Sequence, residues 1–370
     1  MTAALVHDWL TGMRGGEKAL EVLCELLPDA DLLTLVSVPG RVSPTIASHR
    51  IRTSLVQRLA LVDRLYRHYL PLFPFAIEQF DLDDVDLVVS TSHCAAKAVV
   101  PRPGARHLCY CFTPMRYAWD QFDHYFGPDR IGPAASALAR PVLAGLARWD
   151  RRTSGRVDRY VAISHYVAGR IRRYYNRQSD VVYPPVDTEY FQPDGRAPEG
   201  YLLIVSALVP YKRIDVAIGA ARLAGLPLRI VGEGPERDRL HDGAADAPVE
   251  FLGHQTDDQI RSLYQGAAAV VLPGEEDFGI VPVEAQACGR PVVALARGGA
   301  LETVRDGVTG VLVPEATPEA FADAFRSLPG RWFNTDVIRR HAEGFSRARF
   351  AHQMQALLDQ TIQAPEGTRW

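Results

Sequence analysis

Ala268-Ala269-Val270-Val271-Leu272, then Pro273-Gly274-Glu275-Glu276-Asp277-Phe278-Gly279-Ile280-Val281-Pro282-Val283-Glu284, reads as strand, turn and helix. A short apolar run bounded by Pro and Gly fits a strand buried on both faces. Pro282 stands where a first helical residue is expected, because its missing N–H costs nothing there. That reading places Glu276 on the loop and Glu284 in the first helical turn, with unpaired backbone N–H groups between them. Carboxylates accept sugar hydroxyls and a helix N-terminus receives phosphate, so the stretch suits a polyhydroxylated, anionic ligand. Ordinary turn chemistry gives the same pattern, since the macrodipole favours an early Glu and turns favour Gly. On this stretch alone both readings stand.

The rest of the second half repeats the motif. Apolar strands are expected at 201–206, 228–231, 249–252, 268–272, 291–294 and 310–313, alternating with helices near 214–224, 235–240, 257–265, 281–288 and 318–328. Continuous apolar strands with intervening helices imply a doubly wound parallel sheet. In the first half, strands are expected at 3–6, 87–90, 107–111 and 160–163. Apolar residues at helical spacing mark a helix over 17–27, and Ser164 is a candidate N-cap for a helix over 165–175. Pro184-Pro185 and the Pro- and Gly-rich 192–200 read as linker. The expected architecture is α/β, with Rossmann-like doubly wound domains over 1–186 and 201–345, a linker over 187–200, and a cleft between the domains.

Composition agrees. A chain of 370 residues exceeds what one core usually supports, so two domains are expected. Its 47% hydrophobic and 23% charged content is that of a globular protein. No uninterrupted apolar run reaches the about 18 residues a spanning helix needs. Met1–Asp8 lacks a basic segment and a long apolar core, which argues against a signal peptide and for a cytoplasmic location. The five cysteines form no C-x2-C pair, so reduced core thiols are expected and no metal site. Residues 1–185 carry 23 Lys/Arg against 18 Asp/Glu (+5), and residues 186–370 carry 18 against 26 (−8). That basicity is too weak for nucleic acid, but it suits an anionic surface or acceptor.

Ligands of doubly wound sheets bind beyond the carboxyl ends of the strands. Gly15-Gly16, His93, Lys212, Gly253-His254, Glu276 and Gly298-Gly299 all fall just after expected strands or in the turns that follow. Lys212, in Val209-Pro210-Tyr211-Lys212-Arg213-Ile214-Asp215, is a cation at an expected helix start, unfavourable without an anion nearby. A diphosphate reverses that sign; a solvated basic pair beside Asp215 is the plainer alternative. Gly15-Gly16 lets backbone approach a phosphate closely. Val231-Gly232-Glu233-Gly234-Pro235 lacks the third glycine of a dinucleotide loop, so no nicotinamide or flavin site is read there. His93 and the pair His7-Asp8 are each either structural hydrogen-bonders or catalytic groups. The acidic run Asp81–Asp86 precedes a strand and reads as a solvated turn.

Together these residues make the chain resemble retaining glycosyltransferases of family 4, two-domain enzymes of GT-B fold that use nucleotide sugars. Glu276 to Glu284 is similar to that family's E-x7-E motif. Val205-Ser206-Ala207-Leu208-Val209-Pro210-Tyr211-Lys212, Cys111–Tyr117 and Val182–Asp187 resemble the branch of bacterial polysaccharide mannosyltransferases. The resemblance implies a C-terminal helix over 346–370 packing back toward the first domain. It also implies roles: Gly15 and Gly16 at the donor phosphates, Lys212 on the diphosphate, Glu284 on the ribose hydroxyls, and Glu276 on the transferred sugar. Backbone N–H groups of Phe278, Gly279 and Ile280 would assist, His93 would serve sugar and acceptor, and backbone around His254 would frame the base. Ala207 stands where the family carries an Arg, and Arg213 is the candidate substitute.

The implied reaction is metal-independent, with no cofactor beyond the donor as co-substrate. GDP-mannose is the implied donor and a glycan or polyprenyl-linked glycan the acceptor, in polysaccharide biosynthesis. The alternatives are a sugar-nucleotide epimerase or phosphorylase on the same fold, or a nonenzymatic nucleotide-sugar-binding protein. Arg50–Phe75 interleaves Arg50, Arg52, Arg58, Arg64, Arg67 and His68 with Leu55, Leu59, Leu65, Tyr66, Tyr69 and Phe73. A basic-aromatic helix there suits the inner face of an anionic membrane, and an ordinary amphipathic surface or packing helix is the other reading.

Overall fold

The apolar runs become two all-parallel sheets. The computed structural model describes residues 1–370 except Trp332 and Glu366, and the side chain of His124 is not described. The first sheet has seven strands: β1 (Ala3–Leu10), β2 (Asp31–Ser37), β3 (Ile51–Thr53), β4 (Leu87–Ser92), β5 (Arg106–Cys111), β6 (Arg159–Ala162) and β7 (Asp180–Val181). Their order is β3-β2-β1-β4-β5-β6-β7. The second has β8 (Leu202–Val205), β9 (Leu228–Val231), β10 (Val249–Gly253), β11 (Ala269–Leu272), β12 (Val292–Leu295) and β13 (Gly310–Val313), in the order β10-β9-β8-β11-β12-β13. Every pairing is parallel, as in the Rossmann-like α/β class expected. Parallel strands need crossovers, and helices on both faces bury the Val, Leu and Ile side chains.

The chain divides into two units. One comprises Met1–Pro185 with Ala348–Trp370, the other Val186–Arg347, and each has its own apolar core. Within the first unit, the C-terminal helix Arg347–Gln363 buries Phe350, Met354 and Leu358. Phe350 meets Tyr110 of β5 edge-on at 5.3 Å, and Arg106 donates to the Ala364 carbonyl at 2.6 Å.

Where the structure departs from the sequence reading, local chemistry explains it. β1 runs to Leu10, so His7 and Asp8 lie inside the strand and are buried. The helix expected from Pro235 begins at Arg237. Helix Pro133–Thr153 lies between β5 and β6 although Pro141 inside it and Gly132 before it are breaker signals. Tertiary contacts override them, because Asp150 near its end binds Lys97 Nζ at 2.9 Å and accepts from Trp119 Nε1 at 2.8 Å and Tyr175 Oη at 2.9 Å.

Arg50–Phe75 is not one amphipathic helix. It is broken into β3, a 3-10 turn Leu55–Arg58, and short helical segments Val62–Leu65, Tyr66–Leu72 and Phe73–Glu78. Leu61 enters in a left-handed conformation and Pro71 sits inside, which prevents a continuous ladder. Tyr66, Leu70 and Phe73 join the core, with Leu59 and Tyr69 packed against it. Leu55, Leu61, Leu65, Leu72 and Phe75 are the large apolar side chains left exposed there, interleaved with exposed Arg58, Arg64, Arg67 and His68. No described helix is long and apolar enough to cross a membrane.

Candidate active site at the carboxyl edge of the second sheet

The loops after β8, β9, β11 and β12 meet at one edge because the strands are parallel. After β8 the chain forms a 3-10 turn, Pro210–Lys212, then passes through Arg213 at φ +50° into helix Ile214–Ala224. Lys212 therefore lies on a turn before the helix and not at its first position. Its ammonium makes a direct ion pair with Glu276 Oε1, both side chains being largely buried. Two opposite charges in such a place hold each other where water is scarce. Arg213 is exposed, with Nε 3.4 Å from Asp215 Oδ1.

Helix Ile280–Ala287 follows β11, with Gly279 at φ +90° as its N-cap. Pro282 is thus the third helical residue, still among those whose N–H has no partner within the helix. Glu284 lies a full turn in and is buried. Tyr264, itself fully buried, donates its hydroxyl to Glu284 Oε2 at 3.0 Å. Burial, with the charge of Glu284 added, pushes the Tyr264 phenol well above its ordinary range, so it stays a donor. Phe278 is buried and packs on Phe345 at 5.7 Å. His254 is exposed just beyond β10.

Glycines hold this edge together by direct backbone contact. A Cβ on Gly274 would lie 2.5 Å from the Tyr211 carbonyl oxygen and 2.7 Å from Lys212 Cα. One on Gly298 would meet the Glu276 oxygen at 2.3 Å, and one on Gly299 would meet Phe278 Cα at 2.3 Å. Gly299 N–H donates to the Glu276 carbonyl at 2.8 Å. The Glu276 loop is thus clamped between the Lys212 turn and the Gly298-Gly299 turn. Gly232 packs in the same way on the Ser206 oxygen and Gly234 on the Leu208 oxygen, which accounts for these glycines without a dinucleotide.

The edge of the first sheet holds the other candidates. Helix Gly15–Leu26 starts at the glycine pair, where a Cβ on Gly16 would sit 3.4 Å from the Phe112 ring. Glu17 is buried in that first turn, with Oε1 3.8 Å from His7 Nε2, and His7 Nδ1 is 2.7 Å from Thr91 Oγ1. Burial raises the Glu17 carboxyl, but the His7 hydrogen bond and charge leave it below its ordinary range. His93, directly after β4, places Nδ1 3.0 Å from Asp8 Oδ2 and its ring edge-on to Trp9 at 4.4 Å. Asp8 is fully buried and accepts the N–H groups of His93 (2.7 Å), Cys94 (2.9 Å), Ala95 (2.6 Å) and Ala96 (2.7 Å). Burial raises its carboxyl, yet the charge and hydrogen bonds of His93 outweigh that and leave it at about 2. Among the described residues no cluster of three metal-ligating side chains occurs.

Residues 187–329 match the family described as Glycosyl transferases group 1. They contain Lys212, Glu276, Glu284 and the glycine clamp. The chain is 34% identical over 273 residues to the D-inositol 3-phosphate glycosyltransferase of Mycobacteroides abscessus, an alignment covering 65% of this chain and 59% of that one. The protein of the same name from Mycobacterium avium is 36% identical over 206 residues, 48% of each chain. The chain thus spans about half the length of these relatives. They are not named polysaccharide mannosyltransferases, the branch its motifs resemble. Anabaena Alr3699/HepE in complex with UDP superposes with TM-score 0.72 at 17% identity, covering 97% of this chain and 100% of that one. Sucrose-phosphate synthase from Thermosynechococcus elongatus does so with TM-score 0.69 at 18% identity, covering 99% and 100%. These two establish the GT-B fold.

Tyr264 and Asp8 lie outside any local motif of the sequence. Each acts through a partner distant in sequence, so no local spacing marks it. The glycine clamp predicts a specific contrast. Gly299→Ala should lower the unfolding free energy by roughly 1–3 kcal/mol, since main chain must move. Gly145→Ala, in helix Pro133–Thr153 with no atom within 4 Å of its Cβ, should raise it by about 0.5–1 kcal/mol. Urea unfolding of both variants checks this, and equal effects would refute the clamp.

Proposed function

We propose that the protein is a retaining, metal-independent hexosyltransferase that moves a sugar from a nucleoside diphosphate donor. The observation that carries the reading is the largely buried Lys212–Glu276 ion pair within the residues that match the glycosyltransferase family. A cation and a carboxylate that neutralise one another can each exchange that partner for part of a ligand. Lys212 then neutralises the departing diphosphate as the glycosidic C–O bond breaks. Glu276, released, accepts hydroxyls of the transferred sugar. Glu284, with one oxygen held by Tyr264, takes the ribose hydroxyls, and the N–H groups of Phe278, Gly279 and Ile280 are assigned to assist Glu276 at the transferred sugar. We assign Gly15 and Gly16 to the donor phosphates, His93 to sugar and acceptor, and the backbone near His254 to the base.

No carboxylate is an obvious covalent nucleophile, so attack is assigned to the face the diphosphate leaves. The leaving phosphate oxygen takes the acceptor's proton, and an α-linked donor gives an α-linked product. GDP-mannose and a glycan or polyprenyl-linked glycan follow from the motifs around 182–187 and 205–212. A second reading, a UDP-sugar and a polyol phosphate acceptor, is favoured by the UDP bound to HepE and by the names of the relatives.

Three outcomes are expected. Lys212→Ala should weaken nucleoside diphosphate binding and, like Glu276→Gln, reduce kcat about 100-fold or more with the fold intact. Unchanged kinetics in both would remove the assignment. Calorimetry against GDP, UDP, dTDP and ADP should give tightest binding to GDP on the first donor reading and to UDP on the second. Binding of none would refute nucleotide-dependent transfer.

We also propose peripheral contact with anionic bilayers through Leu61, Leu65, Leu72 and Phe75 with Arg58, Arg64 and Arg67. Exposed apolar side chains interleaved with arginines support it. The protein should sediment with anionic liposomes at low salt, and Phe75→Ser should weaken that. Failure to sediment would count against the contact.

A further inference from the structure

Among the charged side chains of the first sheet's carboxyl edge, Asp8 has the densest set of partners. It is fully buried inside β1, one residue past the last that pairs with β4, and its two oxygens collect four consecutive N–H groups from residues 93–96. A cap for that turn needs no more than these. The arrangement contains one further element, His93 Nδ1 at 3.0 Å from Oδ2. An ionised carboxylate only accepts hydrogen bonds, so the proton between the two atoms belongs to the ring. Trp9, edge-on at 4.4 Å, and Phe112, at 6.2 Å, wall the ring on other sides. The imidazole is therefore held in orientation as well as in protonation, with its side chain a third exposed. His7, by contrast, is sealed in, with Nδ1 2.7 Å from Thr91 Oγ1 and Nε2 3.8 Å from Glu17 Oε1.

We propose that Asp8 is a positioning residue that fixes His93 with its proton on Nδ1, so that Nε2 of the neutral ring is offered as an acceptor to a substrate hydroxyl. The inference rests on the assignment of His93 to sugar and acceptor. It goes beyond that assignment in stating which nitrogen acts and what sets it. The partner recognised is a hydroxyl donor, which a sugar or an alcohol acceptor supplies and a phosphate dianion does not. A hydrogen-bond partner on the far ring nitrogen is what fixes the tautomer of a histidine.

Nitrogen-15 NMR of the full chain, with His93 assigned through His93→Ala, should show the neutral ring protonated at Nδ1. Transfer kinetics should show His93→Ala reducing kcat by about 100-fold and Asp8→Asn by about 10-fold or more. In the His93→Ala background, Asp8→Asn should add less than about twofold, because it acts through the missing ring. A cap that serves the turn alone would instead cost the same factor in both backgrounds, and that result would overturn the proposal. So would an Nε2-protonated ring in the wild-type protein, a measurement that decides the matter even where Asp8→Asn does not fold. Full turnover in His93→Ala would overturn the assignment of His93 itself, and the proposal with it. It is distinguishable because the tautomer is read independently of activity.

Discussion

Backbone contact at glycines is the constraint on which the candidate site depends. A parallel sheet delivers its loops to one edge, but it does not by itself bring them within bonding distance. At Gly274, Gly298 and Gly299 no Cβ intervenes, and the loop bearing Glu276 is gripped on one side by the Lys212 turn and on the other by the turn after β12. The ion pair between Lys212 and Glu276 is a consequence of that grip. Both charges are largely buried, and each is tolerable because the other is there. A diphosphate sugar brings both signs of compensation, anionic oxygens for the lysine and hydroxyl donors for the glutamate.

The same logic, a buried charge answered by fixed dipoles, governs the first unit. Asp8 takes four N–H groups and a histidine, and Lys97 takes Asp150 together with the Asp150 carbonyl at 2.8 Å. The first of these fixes a turn beside the sheet's carboxyl edge. The second ties helix Pro133–Thr153 to the turn after β4. Neither charge faces solvent, and both are satisfied by groups far away along the chain. Asp8 is the better placed for chemistry, because its histidine is partly exposed.

Local patterns were legible where they had local causes. Helix His165–Tyr175 and its cap were readable from Ser164, whose hydroxyl accepts from Val167 N–H at 3.0 Å. Ile214–Ala224 and strands such as Leu228–Val231 and Gly310–Val313 follow the apolar pattern to the residue. The candidate residues Lys212, Glu276 and Glu284 were legible as a motif, and so was their place at strand ends. What escaped was long-range: the Tyr264 hydroxyl on Glu284, the backbone donors to Asp8 some 85 residues away, and the ion pair itself. Pro141 sits inside a helix that tertiary contacts hold, whereas the left-handed Leu61 interrupts the basic-aromatic segment Arg50–Phe75.

Donor binding should exchange the partners of the Lys212–Glu276 pair, and a crystal structure with an intact nucleoside diphosphate sugar would show it. Lys212 Nζ should then lie on a diphosphate oxygen, Glu276 on sugar hydroxyls and Glu284 on the ribose. A nucleotide bound elsewhere, with Lys212 still paired to Glu276, would contradict it.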